Sequence, residues 1–127
     1  MAGNLLKIDR ATEGDTVTLR CVGELDVVHA DQLMLAAEDA LGGGGRSLWV
    51  DASGVGFVDS SGLRAIVQAC ERCSEAGGSA TVVVASGSPL LRLLKLSGME
   101  NRLPVMVVQP EPEPSDASAG NAGFFGT

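Results

Sequence analysis

Two apolar runs separated by one helix-like stretch constrain the fold of this chain more than any other feature. The runs, at residues 47–50 and 80–85, have the fully apolar centres of interior strands. Between them, apolar residues recur at positions 63, 66, 67, 70 and 73, which is the spacing of one helix face. A strand, a helix and a second strand in this order form a right-handed crossover with parallel strands. The pattern therefore predicts an α/β domain, with a helix over residues 61–76.

The flanking sequence adds a hairpin and further helices. Residues 5–8 read as a short strand and residues 16–22 alternate with period two, so the two predict an antiparallel hairpin. An amphipathic helix is predicted over residues 28–41, with Asp26 as a candidate cap. A third helix over residues 90–96, started by Ser88 and Pro89, precedes a last edge strand at residues 105–108. The sheet is thus mixed and has four to five strands.

The composition changes after residue 108. Residues 109–127 are rich in Pro, Glu, Ser, Ala and Gly, and bury too little apolar area to offset the entropy of ordering. We therefore expect one domain over residues 1–108 and a disordered acidic tail over residues 109–127. Phe124 and Phe125 stand out in this tail, either as a chance pair or as a weak docking motif.

The charge balance excludes several classes of partner. The net charge of −7 repels nucleic acid and anionic lipid, so we expect no nucleic-acid binding and no direct membrane insertion. The sequence has neither a secretory signal nor an apolar run of the ~20 residues that cross a bilayer. Three cysteines, an odd number, fit reduced thiols. We expect a cytoplasmic protein.

A cluster of hydroxyl and carboxyl side chains lies where the second predicted strand meets its helix. It is Asp59-Ser60-Ser61-Gly62, directly before the helical apolar face. Asp or Ser at this place caps a helix by accepting a hydrogen bond from an unpaired amide. The same amides favour negative charge, so a serine here is also suited to carry a phosphate. The spacing alone leaves both interpretations open.

Catalysis and metal binding find little support. Cys70 and Cys73 form a C-x-x-C pair on the apolar helix face, far from a helix start that would stabilise a thiolate, and are expected to be buried. The only histidine, His29, is expected to be solvated in the first turn of its helix, and a Gly-x-Ser-x-Gly hydrolase motif is missing. We expect no enzyme activity, no metal and no cofactor.

The full string Asp51-x-Ser53-Gly54-Val55-x-Phe57-Val58-Asp59-Ser60-Ser61-Gly62-Leu63 resembles the signature of the STAS domain of bacterial anti-sigma factor antagonists. Further landmarks follow in family order: Gly23-Glu24-Leu25-Asp26, Ala76-Gly77-Gly78 with the strand after it, and Leu94-x-x-Ser97-Gly98-Met99. Together they cover residues 4–108. The resemblance implies that the helices pack mainly on one face of the sheet.

The resemblance also implies a function. Such antagonists bind an anti-sigma factor with serine kinase activity and so release a sigma factor. The kinase phosphorylates the first serine of the motif, here Ser60, and a serine phosphatase restores the antagonist. The implied partner-binding residues are Gly23, Glu24, Leu25, Asp26, Phe57, Val58, Asp59, Ser60, Ser61, Gly62 and Arg64.

One departure and two alternatives accompany this interpretation. The family usually has Thr-Ala after the Gly-x-Leu-Asp motif, whereas this chain reads Val27-Val28-His29-Ala30, so the partner-facing start of the first helix differs. The chain could instead be a STAS scaffold subunit of a membrane transport complex that is never phosphorylated. It could also be a component of a stress-sensing assembly.

Overall fold

The computed structural model describes residues 5–110, which form a five-stranded sheet and three α-helices. The tail expected over residues 109–127 lies, beyond Pro110, outside the described residues. The elements follow the chain as strands β1 (Leu6–Glu13) and β2 (Thr16–Leu25), helix α1 (Ala30–Gly42), strand β3 (Ser47–Val58), helix α2 (Ser60–Glu75), strand β4 (Ser79–Ala85), helix α3 (Pro89–Ser97) and strand β5 (Val105–Val108). A short 3-10 turn, Met99–Asn101, precedes β5.

The strands lie in the sheet in chain order, from β1 to β5. The hairpin of β1 and β2 is antiparallel, and every later pair is parallel. The predicted mixed sheet and the predicted parallel pairing of the strands at 47–50 and 80–85 are therefore confirmed. Because β2, β3 and β4 run in the same direction, their carboxyl ends meet at one edge of the sheet, which we call the C-terminal edge.

One face of the sheet carries the core. Leu19, Val50 and Val82 from three neighbouring strands are fully buried there, together with Leu33 of α1 and Ile66 of α2. Helix α3 adds Leu90 and Leu94 to the same cluster. All three helices thus cover the same face, as the resemblance implies. Strand residues that alternate with these buried ones point to the opposite face, which none of the helices within residues 5–110 covers.

Three strands are longer than the sequence predicts. Strand β1 runs from Leu6 to Glu13, β2 continues through Gly23 to Leu25, and β3 runs from Ser47 to Val58. The polar and glycine-rich residues 51–56 read as a loop, but they pair with β2 and so stay extended. Two register shifts, between Arg20 and Val22 and between Gly23 and Glu24, accommodate the longer pairing. Pairing with β2 thus outweighs the low strand propensity of these residues.

Both thiols of the C-x-x-C pair are buried. Cys70 and Cys73 are both buried on the inner face of α2, as expected from the sequence. Burial raises the pKa of the Cys70 thiol to about 11 and also raises the pKa of Cys73, so neither is a thiolate near neutral pH. The Cys73 thiol lies 3.2 Å from the Ser79 carbonyl oxygen, to which it donates.

None of the helices within residues 5–110 is both long and apolar enough to span a bilayer.

Candidate functional site: the C-terminal edge

Strand pairing brings two distant motifs together at the C-terminal edge. Glu24 pairs with Phe57 and Leu25 with Val58, so β2 and β3 end side by side. Asp26 follows the first strand and Asp59 the second. The two motifs that the sequence places more than thirty residues apart therefore share one edge, and Asp59 links them directly.

Asp59, and not Ser60, caps α2. Its backbone is extended, and its Oδ1 accepts a hydrogen bond of 2.9 Å from the Gly62 amide. Its Oδ2 accepts a second bond, of 3.2 Å, from the Val27 amide. One carboxylate thus satisfies an amide of the helix start and an amide of the segment after β2. Ser60 follows as the first helical residue, and its side chain is left free of the capping role.

The glycine of the motif allows the helix start to approach β2. A Cβ on Gly62 would lie 2.1 Å from the Leu25 carbonyl oxygen, which is far inside van der Waals contact. The same Leu25 oxygen accepts a bond of 3.3 Å from the Asp59 amide. Any larger residue at position 62 must push the start of α2 away from Leu25.

Gly23 has the same role one strand away. Its φ of +119° favours glycine, and a Cβ there would lie 2.0 Å from the Leu5 carbonyl oxygen. The next amide, of Glu24, donates to that same oxygen at 3.2 Å. Both glycines of the two motifs therefore permit close packing of backbone against backbone, which fixes where the two strand ends lie.

Asp26 organises the segment before α1 but does not cap the helix. Its Oδ1 accepts from the Val28 and His29 amides, both at 3.1 Å, and lies 2.7 Å from Nδ1 of His29. The N-cap position of α1 belongs to His29, whose side chain makes no capping bond. Desolvation alone would raise the pKa of Asp26, but the side-chain and backbone bonds from His29 outweigh it and hold that pKa below its usual value.

The position of His29 corrects the sequence interpretation. The histidine was expected to be solvated in the first helical turn, but its side chain is only 14% exposed because it folds back onto Asp26. The sequence offered one signal for this contact. Asp and His three residues apart, before a helix, are within reach of each other when the intervening residues form a turn, which the bond from the His29 amide to the Asp26 carbonyl closes.

Ser60 lies on an exposed surface with apolar neighbours. Ser60 is exposed, as is Arg64 one helical turn later, whereas Ser61 is half-buried. Val27 is 69% and Val28 75% exposed. The starts of α1 and α2 enclose a groove of about 380 Å³, whose lining includes Val27, Ser60, Ser61 and Arg64. The valines were noted in the sequence only as a departure from the family, and their exposure adds them to this surface.

The remaining predicted partner-binding residues divide by burial. Phe57 is 46% exposed at the same edge, and Val58 and Glu24 are half-buried. Leu25 and Gly62 are buried, so they shape the surface from beneath and cannot contact a partner through a side chain.

Neither an activated serine nor a metal cluster is found at this edge among the described residues. Among residues 5–110, no hydrogen bond ties the Ser60 hydroxyl to a histidine or carboxylate, so no internal base activates it. The described residues also contain no cluster of three or more His, Cys, Asp or Glu side chains suited to a metal ion. An exposed hydroxyl at a helix start can, however, accept a group from another protein.

Comparison with known proteins agrees with this fold. The family model described as "Mlab, STAS domain" matches residues 8–108. No curated protein sequence matches the chain.

Several solved structures are similar to the chain. An anti-sigma factor antagonist from Mycobacterium paratuberculosis is 23% identical, with a TM-score of 0.72 over 92% of this chain and 94% of that one. The Bacillus cell fate determinant SpoIIAA in its phosphorylated form is 22% identical, with a TM-score of 0.58 over 90% and 96%. Unphosphorylated SpoIIAA is 19% identical, with a TM-score of 0.60 over 90% and 94%. These likenesses establish the shared fold, and the family match covers most of the chain: it belongs to the STAS domain family.

Proposed function

We propose that this chain is an anti-sigma factor antagonist that binds an anti-sigma factor with serine kinase activity through its C-terminal edge. The observation that carries the proposal is the placement of Ser60. It is exposed at the first position of α2, with apolar side chains beside it and a helix start that Asp59 fixes to β2. The similar structures named above include anti-sigma factor antagonists, one of them phosphorylated, which supports the assignment.

The surface has the composition of a protein interface. Val27, Val28 and Phe57 expose apolar area, which drives association, and Arg64 supplies a cation at the same groove. We propose that these residues, together with Glu24, Asp26, Asp59, Ser60 and Ser61, contact the kinase. Gly23, Leu25, Val58 and Gly62 hold that surface in place.

Phosphorylation of Ser60 would switch binding off without unfolding the domain. A phosphate adds about −1.5 to −2 charge near neutral pH. The amides at a helix start favour that charge, although the neighbouring Asp59 carboxylate opposes it. Arg64, one turn later on the same groove, is suited to pair with the phosphate. The local fold therefore tolerates the modification. The complex with the kinase is weakened instead, because the phosphate dianion must be desolvated in the interface. Arg64, once paired with the phosphate, is also no longer available to the partner. A serine phosphatase would restore binding.

Phosphorylation by the partner tests the proposal. A pull-down with this chain should identify an ATP-binding protein kinase, and incubation with that kinase and ATP should place phosphate on Ser60 by peptide mass mapping. Ser61→Ala should be phosphorylated as well as the unmodified chain, whereas Ser60→Ala should not. Phosphate on Ser61 alone would contradict the assignment. Capture of a transporter ATPase, with no phosphorylation, would favour a scaffold subunit of a transport complex instead.

A further inference from the structure

The sheet face opposite the helices is the largest feature that the proposed function leaves unused. Strands β2 to β5 are parallel, and parallel sheets in proteins are almost always covered on both faces. Here all three helices lie on the core face. We call the other side the open face.

The open face carries apolar side chains among polar and charged ones, and we call Trp49, Val83 and Met106 the strip. Trp49 alternates with the buried Leu48 and Val50, and it pairs with Thr18 on one side and Thr81 on the other. Trp49 is the only tryptophan of the chain and is partly exposed.

The next row of the open face continues the strip. It runs through Arg20, Asp51, Val83 and Met106, and Met106, on the edge strand, is 44% exposed. An aromatic ring and aliphatic side chains on an uncovered parallel sheet indicate a surface that another segment covers.

The chain itself leads a segment to this face. Beyond β5, the described residues Gln109 and Pro110 line a cavity of about 500 Å³ on the open face. The rest of its lining is mixed, with the apolar Val83 and Val108 beside Arg20, Asp51, Ser53 and Gly54. Seventeen more residues follow, from 111 to 127, and they contain Phe124 and Phe125. These are two of only four aromatic residues in the chain, the others being Trp49 and Phe57.

The length of this segment suits the distance. Trp49 lies two strands from β5 and two rows along the strand direction from Val108, or about 16 Å in the sheet plane at ordinary strand spacing. The fourteen residues from 111 to 124 have a root-mean-square span of about 21 Å as a flexible chain. The segment can therefore reach Trp49 without being stretched.

We propose that residues 111–127 bind the open face, with Phe124 and Phe125 packed against the strip formed by Trp49, Val83 and Met106. The composition of the segment by itself predicts disorder, because it offers nothing to pack against internally. The open face supplies that apolar partner. Offset or edge-to-face packing of phenylalanine on an indole adds to the area that both rings bury. The inference is independent of Ser60 and of the proposed partner.

Fluorescence of Trp49 tests the proposal in the full-length chain. The sequence has one Trp and no Tyr, so the emission reports this site alone. In the double variant Phe124→Ala/Phe125→Ala, acrylamide should quench Trp49 about twice as efficiently as in the unmodified chain, because the rings no longer cover the indole. The matched double variant Ser115→Ala/Ser118→Ala changes the same segment without removing a ring, and it should leave quenching unchanged.

Two further measurements test whether the tail or a second copy of the chain covers the open face. Met106→Ser, on the exposed edge strand, should raise quenching in the same direction while circular dichroism shows an unchanged fold. Protection within one chain should be equal at about 1 μM and about 100 μM, because an intramolecular contact obeys no mass action. Protection that grows with concentration would assign the face to a second copy and overturn the proposal. Equal quenching in the unmodified chain and the phenylalanine variant would also overturn it.

Discussion

The two ends of the sheet are held by different kinds of hydrogen bond. At the amino-terminal end, backbone pairs with backbone: the Arg46 and Ser47 amides donate to the Asp15 carbonyl, and the Ser79 amide donates to that of Arg46. At the C-terminal edge, the side chains of Asp26 and Asp59 accept amides in addition to backbone bonds such as that from Asp59 to Leu25. Both ends use glycines for close approach, since a Cβ on Gly78 would lie 2.3 Å from the Arg46 carbonyl oxygen.

The two ends also differ in what they expose. None of the exposed large apolar side chains among residues 5–110 lies in the turns at 13–16, 42–47 and 76–80, whereas Val27, Val28 and Phe57 all lie at the C-terminal edge. At the amino-terminal end, these turns are held by backbone-to-backbone bonds and expose no large apolar side chain. Side-chain acceptors fix the C-terminal edge while leaving its apolar groups and the Ser60 hydroxyl accessible. The difference is consistent with the proposed role of the C-terminal edge as the partner surface.

The largest predicted effect on stability is at Gly62. Gly62→Ala places a Cβ against the Leu25 carbonyl and should lower the free energy of unfolding by about 3 kcal/mol, since backbone cannot move aside cheaply. Gly56→Ala is the matched control, because a Cβ there meets nothing within 4 Å. Urea unfolding measures both. Equal stability of the two variants would show that the approach of α2 to β2 is not required.

Asp59→Ala should have the next largest effect. Loss of the cap and of the bond to Val27 should cost about 1 to 2 kcal/mol, and Asp59→Asn should recover part of it because the amide oxygen still accepts. Hydrogen exchange should accelerate at both the Gly62 and the Val27 amides. Faster exchange at Gly62 alone would mean that the carboxylate caps the helix without linking the two motifs.

Asp26 should make the C-terminal edge sensitive to acid. Its pKa in the folded chain is lowered, so its contribution to stability is fully present above the usual carboxyl pKa of about 3.9 and is lost as the pH falls through the lower folded value. His29→Ala removes the ring bond and should move the Asp26 pKa back up, which an NMR titration of the carboxyl carbon measures. An unchanged pKa in that variant would assign the shift to the backbone amides alone.

Ser60→Ala should have the smallest effect on stability. Since Asp59 holds the capping bonds, removal of the Ser60 hydroxyl should change the free energy of unfolding by no more than about 0.5 kcal/mol. Thermal unfolding compares the variant with Asp59→Ala. A loss as large as that of Asp59→Ala would show that Ser60 also caps the helix. Asp59 would then not be the residue that alone fixes the edge while Ser60 stays available to a partner.

The sequence predicts the layers of this fold well because its buried runs and helix faces are periodic. All three helices and the edge strand β5 are found within about two residues of their predicted limits. The extent of β3 could not be predicted, because Asp51, Gly54 and Gly56 are loop residues by propensity. Only pairing with β2, through its register shifts, keeps them extended.

The sequence names the residues that meet at the C-terminal edge but not the hydrogen bonds between them. Asp59 and Ser60 are both good caps, and spacing cannot decide which side chain reaches the Gly62 amide. The bond from Asp59 to Val27 spans thirty-two residues and exists only because β2 and β3 end together. The turn between Asp26 and His29 likewise depends on a backbone geometry that sequence patterns do not specify.

The most direct test of the account is binding of the partner kinase to variants at position 60, measured by titration calorimetry. Ser60→Ala should bind as the unmodified chain does. Ser60→Asp places a charge in the interface and should bind at least about tenfold more weakly, equivalent to about 1.4 kcal/mol. Thermal unfolding should show that Ser60→Asp is as stable as the unmodified chain. Equal affinity of Ser60→Asp and Ser60→Ala would contradict the claim that the C-terminal edge is the partner surface.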